Sequence, residues 1–456
     1  VFSKEEYSEV LGKMIDEYGV ITATKPAELT LRKSISNLIE SGKIKVLNHK
    51  GWLTTTEDFT SSVGDKPPWR MDKFYRHIRK SQLILLDEYS KPLGGSWAVD
   101  DQNRLPWDSA VELPQMPSFK PDQITSEVIQ MVESKFSHHP GKINQENIPA
   151  SNEDATRLWD WAKSTVMHWF GPYEDAMTKE HKTLFHTTVS SLLNLGRLMP
   201  RNLLEDTLKL DIPLNSKEGF VRQIIGWREF VRHVHELTNG FEVGDGKLSS
   251  RSGAGWEGEW SSSRVTPNVL GNDFDLPPTY WGEKSGMLCL DTAVSDVVET
   301  GYAHHIPRLM VLANIGNLLG INPRELTDWF WAMFTDAYDW VVEPNVLAMG
   351  TYAVGDVMTT KPYVSGTPYI KKMGDYCGDC SLHFKKSCPI SDMYWNFLEE
   401  NQSHFAKNHR MAMPMRTLAK RTQEAKDTAK EVTEYVRTQM SKGLKLDPLE
   451  LESIKA

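Results

Sequence analysis

The sequence predicts a two-part fold: a short N-terminal α/β parallel-sheet domain, apparently incomplete, followed by a large all-α domain. Three observations carry this. Helix and strand signals alternate over residues 1–60, the pattern of a parallel α/β layer. Helical periodicity dominates from about residue 152 onward. Between them, residues 61–151 form an interdomain connector whose first part, to about 125, is rich in Pro, Gly, Trp and Asp.

Taken in order, Glu5–Tyr18 has the spacing of an amphipathic helix, Gly19–Ala23 reads as a strand, Glu28–Ile39 as a helix and Lys43–Leu47 as a strand. The alternation starts abruptly, without the strand–loop units of a complete doubly wound domain. The connector holds one helix, Met71–Ile84. In the domain spanning 152–456, the clearest helices are Thr156–Phe170, Leu184–Leu198, Lys217–Leu237, Asp291–Leu319 with a break near Pro307, Pro323–Val342 and Ser391–Lys407. Gly244–Arg264 is Gly/Ser-rich and reads as a mobile surface insertion, and Arg416–Met440 as a charged, solvated final helix. No internal repeat is present.

The 456 residues suffice for two or three domains, and 39% hydrophobic with 25% charged residues is an ordinary soluble mixture. No apolar run approaches the ~18 residues of a membrane span. No signal peptide precedes the first helix, so a cytoplasmic monomer without a membrane partner is expected. A net charge of −9 excludes coating of nucleic acid by bulk attraction but not a local basic groove. Fifteen Trp is a heavy load, suited to a packed helical core or to stacking around a chromophore.

The four cysteines are Cys289, Cys377, Cys380 and Cys388, the last three spaced C-x2-C-x7-C before Pro389. Four thiolates suit either a [4Fe–4S] cluster or zinc, and spacing does not choose between them. In a reducing compartment a metal site is favoured over disulfides.

Several blocks in the helical region add a further signal. RQIIGWREFVRH, from Arg222 to His233, sets Trp227 as a flat stacking surface beside Arg228 and Glu229, which suit an ion pair. HTTVSSLLNLGR, from His186 to Arg197, offers hydroxyls and backbone N–H groups to phosphate oxygens. GYAHHIPRLM carries His304, His305 and Arg308; DWFWAMFTDAYDWVVEPNVLAM packs three Trp beside Asp336, Tyr338 and Asn345; KPYVSGTPYI leads into the cysteines. With the connector FYRHIRK…GGSWAVDDQNRLP, this set resembles the iron–sulfur bacterial cryptochromes and photolyases, the prokaryotic (6-4) photolyases or photolyase-related proteins. The resemblance runs over nearly all of the chain from about residue 35.

The resemblance implies a photolyase/cryptochrome fold: a partial antenna-type domain and a helical FAD-binding catalytic domain. It implies a [4Fe–4S] cluster on Cys289, Cys377, Cys380 and Cys388. It implies repair of UV-damaged DNA, double- or single-stranded, in which excited reduced FAD passes an electron to a flipped-out (6-4) photoproduct. His304 and His305 fall at the proton-donating position, and His305 is favoured for the chemistry. FAD contacts are expected from His186, Ser190, Ser191, Leu192, Glu218, Trp227, Arg308, Asn314, Asp336, Tyr338, Asn345 and Tyr363. Trp329 and Trp281 match the family's electron-transfer tryptophans. Phe330 stands where well-known members carry Tyr, so Tyr338, Tyr369, Trp331 or Trp340 must substitute. Asp100 and Asp175 match carboxylates associated with a divalent cation, Mg2+. A lumazine antenna belongs to the family, but the incomplete N-terminal domain counts against it here. Arg222, Arg232, Arg308, Lys407, His409, Arg410 and Arg416 are the expected phosphate contacts. The same fold and flavin also serve a blue-light photoreceptor or a cyclobutane-dimer photolyase. A third reading is a dark, structural iron–sulfur DNA-binding protein, with a helical resemblance to the primase large subunit.

Overall fold

Ile15, Ile35 and Ile44 form a small core of their own, and the N-terminal elements follow from burying them. The computed structural model describes residues 4–241, 248–249 and 266–456. It opens with α1 (Tyr7–Tyr18), β1 (Ile21–Thr24), α2 (Leu29–Glu40) and β2 (Ile44–Leu47). The two strands are parallel, from Ile21 opposite Ile44 to Thr24 opposite Leu47, and α2 is the crossover such pairing requires. Ile21 and Ala23 are half-buried while Thr22 and Thr24 are exposed, so one face of β1 is covered. The expected small parallel sheet is therefore present.

The chain then joins the helical body. Leu53 and Phe59 are buried with Phe74, Ile78 and Phe230 rather than with the N-terminal isoleucines. Phe59 lies on helix Thr56–Val63, started by a reciprocal cap between Thr55 and Asp58. This helix and Gln123–Lys135 add to those expected from the sequence. Helix Met71–Ser81 packs across the longer run Leu214–Leu237 at Gly226, where a Cβ would stand 3.1 Å from Met71 Sδ and 3.4 Å from Tyr75.

Two helical runs depart from the expected pattern, and a third, Asp291–Leu319, breaks near Pro307 as expected. Leu184–Leu198 contains only the short helix Ser190–Asn194. His181 Nδ1 accepts the Leu184 N–H at 2.8 Å, and Leu184 and Thr188 have positive φ. Asp291–Leu319 divides into Leu288–Thr300, then a loop after Gly301, then Pro307–Leu319. Pro323–Val342 breaks after Met333, where Thr335 N–H donates to Gly301 O at 2.9 Å, and resumes at Asp339. The expected charged final helix is two, Ala412–Ala419 and Gln423–Ser441. The insertion expected at Gly244–Arg264 lies outside the described residues save for Leu248–Ser249, which pair with Thr266–Pro267. No described helix is long and apolar enough to cross a membrane.

Besides Ala162–Val166, three segments widen to π-helical geometry: Arg222–Arg228, Pro307–Ala313 and Glu343–Gly350. All three line one cavity, where the two large apolar cores of the helical body meet. Such widening leaves backbone groups and side chains free to face a ligand.

Candidate functional site

The cavity measures about 870 Å³, near the upper end of the range for small-molecule sites. Phe170, Phe220, Ile224, Phe330 and Phe334 give it apolar walls, and Trp227 offers a half-buried ring. Arg228 is stacked over Trp52 at 4.1 Å and lies 5.4 Å from Trp340, while its carboxylate neighbour Glu229 accepts from Leu53 N and Thr54 N, each at 3.1 Å. The anticipated Arg228–Glu229 pair is thus present at 3.6 Å. Burial, with Arg232 adding repulsion, lowers the Arg228 pKa to about 10.

One wall is organised by Asp336. Arg308 grips it with two hydrogen bonds of 3.0 and 2.9 Å, Ser190 Oγ donates at 2.7 Å, and Asn194 Nδ2 donates to its carbonyl at 2.9 Å. A bidentate guanidinium–carboxylate pair fixes both groups in one plane. Thr188 Oγ, buried on this wall, has no hydrogen-bond partner among the described residues.

The opposite wall is an ion network. Arg222 donates to Asp100 at 2.7 Å and Glu174 at 3.3 Å and lies 3.5 Å from Glu218, which also accepts from Tyr75 OH at 2.8 Å. Burial opposes its charge, but Glu174, Glu218 and Asp100 together outweigh burial and hold it more firmly protonated than usual. Likewise burial raises the Asp100 pKa, but Arg222 and Arg104 outweigh it and keep the carboxylate below its ordinary range. Arg104 contacts Asp100 and lies 3.7 Å from Asp175. The two candidate cation ligands are therefore brought together, but around arginines that already balance their charge.

Three imidazoles complete the cavity. His304 precedes the helix and is buried at 3% exposure, whereas His305 opens the helix and its side chain is 42% exposed. Their rings diverge by 65° at 6.0 Å. His304 stacks on buried His186 at 4.1 Å and 17°. Burial, then repulsion from His305, drives the His186 pKa to about 3 against the pull of the Thr183 and Glu174 carbonyls. Burial, then His186 and His305, hold His304 well below the ordinary histidine range. His305 Nε2 faces Asp175 at 3.7 Å.

Of the expected flavin contacts, His186, Ser190, Trp227, Arg308, Asp336, Asn345 and Tyr363 line the cavity. Leu192 is core, Glu218 pairs with Arg222 behind the wall, and Asn314 is tied to Ser365 N at 2.9 Å. Ser191 and Tyr338 are not among the lining residues; Tyr338 packs 6.4 Å from Trp340. Tyr369 lines the cavity near Asp175. Trp329 is fully buried behind Phe330, and its Nε1–H donates to Tyr280 O at 2.8 Å; Trp281 follows and is 40% exposed. Two expected DNA contacts are corrected. Arg222 and Arg232 are buried and neutralised, Arg232 by Glu229 and Glu236, because they face inward from the Leu214–Leu237 run. Arg308 is engaged by Asp336, whereas Lys407, His409, Arg410 and Arg416 are exposed. Thr188 is one of the hydroxyls the His186–Arg197 segment offers, whereas Arg104, Glu174 and Phe334 are not singled out by the sequence, the Glu174–Asp175 doublet being the signal for the second.

The four cysteines line a second, small pocket with Met287, Ile370, Tyr376, Leu382 and Ile390. Burial raises the Cys289 thiol well above its usual pKa, and Cys388, Cys380 and Cys377 raise it further. Burial, then Cys388 and Cys380, lift Cys377 to about 11. Four thiols crowded in an apolar pocket are suited to a cation that takes them as thiolates. The large cavity, with apolar walls, the half-buried Trp227 ring and an orphaned buried hydroxyl at Thr188, likewise fits a large amphipathic ligand such as FAD.

A model of the deoxyribodipyrimidine photo-lyase-related protein family matches residues 3–148. A (6-4) photolyase of Agrobacterium fabrum is 31% identical over 417 residues, covering 89% of this chain and 78% of that protein. An uncharacterised protein of Acanthamoeba polyphaga mimivirus is 33% identical over 96 residues, 21% of this chain and 75% of that protein. The crystal structure of a bacterial class III photolyase from Agrobacterium tumefaciens superposes with a TM-score of 0.52 at 15% identity, covering 95% of this chain and 83% of that one. The last likeness is one of fold.

Proposed function

The chain belongs to the photolyase-related family, and on that premise we propose that it is a light-driven, FAD-dependent enzyme repairing (6-4) photoproducts in DNA. One observation carries the reading: an accessible imidazole, His305, opens onto a flavin-sized cavity while its neighbour His304 is buried and held neutral. FAD, when bound, supplies light absorption and the transferable electron. The other parts are the chain's own. Trp227 offers a stacking face, and the Arg308–Asp336–Ser190 set supplies fixed donors for polar groups. The apolar walls exclude water. His305, whose Nε2 faces Asp175, holds a proton at the lesion side. His304 and His186 back it as positioning residues. Lys407, His409, Arg410 and Arg416 offer phosphate contacts around the cavity mouth, where Arg410 itself is a lining residue. Trp329 and Trp281 supply the route for flavin reduction, and the cysteine quartet holds [4Fe–4S]. The lesion class draws support from the relative named a (6-4) photolyase.

Reduced, flavin-loaded protein is expected to restore a defined (6-4) oligonucleotide under blue light. His305→Ala is expected to lose roughly a hundredfold or more in rate while keeping its flavin. Unchanged turnover in that variant would remove His305 from the chemistry. Repair of cyclobutane dimers instead would reassign the lesion, and flavin photochemistry without repair of either would favour a photoreceptor.

A further inference from the structure

The geometry points to a second ligand at this wall: His186, His304 and His305 form a three-nitrogen site for a divalent transition-metal ion of the zinc type. One ring nitrogen from each lies within 4.8 Å of the others, although the residues come from two separate segments. The tautomer of His186 is set by its surroundings. Its Nδ1 lies 3.0 Å from Thr183 O, which only accepts, so Nδ1 carries the hydrogen and Nε2 the lone pair. No hydrogen bond of good geometry reaches that Nε2 or His304 Nδ1, both buried, although the Glu174 carbonyl also lies close to the His186 ring. An imidazole anchored through one nitrogen to a backbone carbonyl, with the other nitrogen bare, is the arrangement that metal-binding histidines use.

The donor set chooses the ion. Three neutral imidazoles suit zinc, nickel or copper, whereas Mg2+ and Ca2+ require oxygen ligands. Three protein nitrogens facing a cavity leave a fourth position open, as in sites where zinc keeps an exchangeable ligand. Tetrahedral zinc needs neighbouring nitrogens ~3.3 Å apart, so the rings must close by about 1.5 Å at most. His305, 42% exposed, has the freedom to do so, and Asp175, which it shares with Arg104, lies 3.7 Å from its Nε2.

The test uses the holoprotein, with flavin and cluster bound, in the dark and without DNA, equilibrated with zinc chloride and then desalted. Uptake of one zinc per chain beyond the cluster is expected. Zinc-edge X-ray absorption should show nitrogen at about 2.0–2.1 Å and no sulfur at about 2.3 Å. His305→Ala and His186→Ala should each weaken binding about tenfold or more. No uptake, a sulfur shell or unchanged affinity in both variants would overturn the site, a sulfur shell assigning the zinc to the cysteines. Since neither light nor lesion enters the measurement, failure of the repair reading leaves it intact.

Discussion

His233 shows how strongly single residues are constrained here. Its ring packs against Phe59 at 5.0 Å, and its Nε2 must accept from Arg232 Nη2 at 2.8 Å, which a protonated ring cannot do. Burial first, then Arg232 and Lys25, lower its pKa to about 2. The unfolded chain takes up this proton near pH 6.5 and the folded chain does not, so stability is full above that pH and falls as pH drops below it. Between pH 7 and pH 5 the loss from this residue is about 2 kcal/mol. Urea unfolding of cluster-intact protein at the two pH values should show it, and His233→Gln should reduce it; an identical pH dependence in the variant would contradict the assignment. At this scale the sequence was informative where chemistry is local. The C-x2-C spacing and the adjacent His304–His305 pair declare themselves, because neighbouring residues share one site. Arg222 did not, since its i,i+4 partner Glu218 is local but Asp100 and Glu174, which close around it, come from distant segments.

Among the elements, helix Leu288–Thr300 joins the two centres. Cys289 opens it, and its end delivers the chain to His304. Gly301 makes that turn with φ of 63°, and a Cβ there would lie 2.6 Å from Thr335 Cγ2. Gly301→Ala is expected to cost about 1–2 kcal/mol from backbone strain alone, and to reduce flavin content by displacing the histidine loop. A thermal midpoint and a flavin spectrum within error of wild type would refute this. Helix positions were legible from apolar spacing, but their breaks were not. The stretches after Phe185 and Met333 keep helical periodicity, and side-chain bonds stop them: a local one, His181 taking the Leu184 N–H, and a tertiary one, Asp336 held by Arg308. Both breaks line the cavity, so the unreadable points of the pattern coincide with the candidate site.

Over the whole molecule, the cysteine pocket pins the Leu288–Thr300 helix to the 377–388 loop, with Lys455 Nζ donating to Cys388 O at 2.8 Å from the last helix. If the cysteines hold a cluster as proposed, its loss, or Cys289→Ser, is expected to lower the thermal midpoint by roughly 5–10 °C. Proteolysis should then begin in that loop; a variant as stable and resistant as wild type would limit the cluster to a redox role. The division into a small parallel-sheet unit and a helical body was readable from the switch in period. The way residues from Leu53 join the helical core was not, because buried neighbours such as Phe230 lie far along the chain. The account as a whole stands on the cavity holding FAD. The most direct measurement is the flavin content of protein purified with its cluster intact, before and after incubation with FAD. About one FAD per chain is predicted, bound tightly enough to survive desalting; protein that emerges flavin-free and takes up none would contradict it.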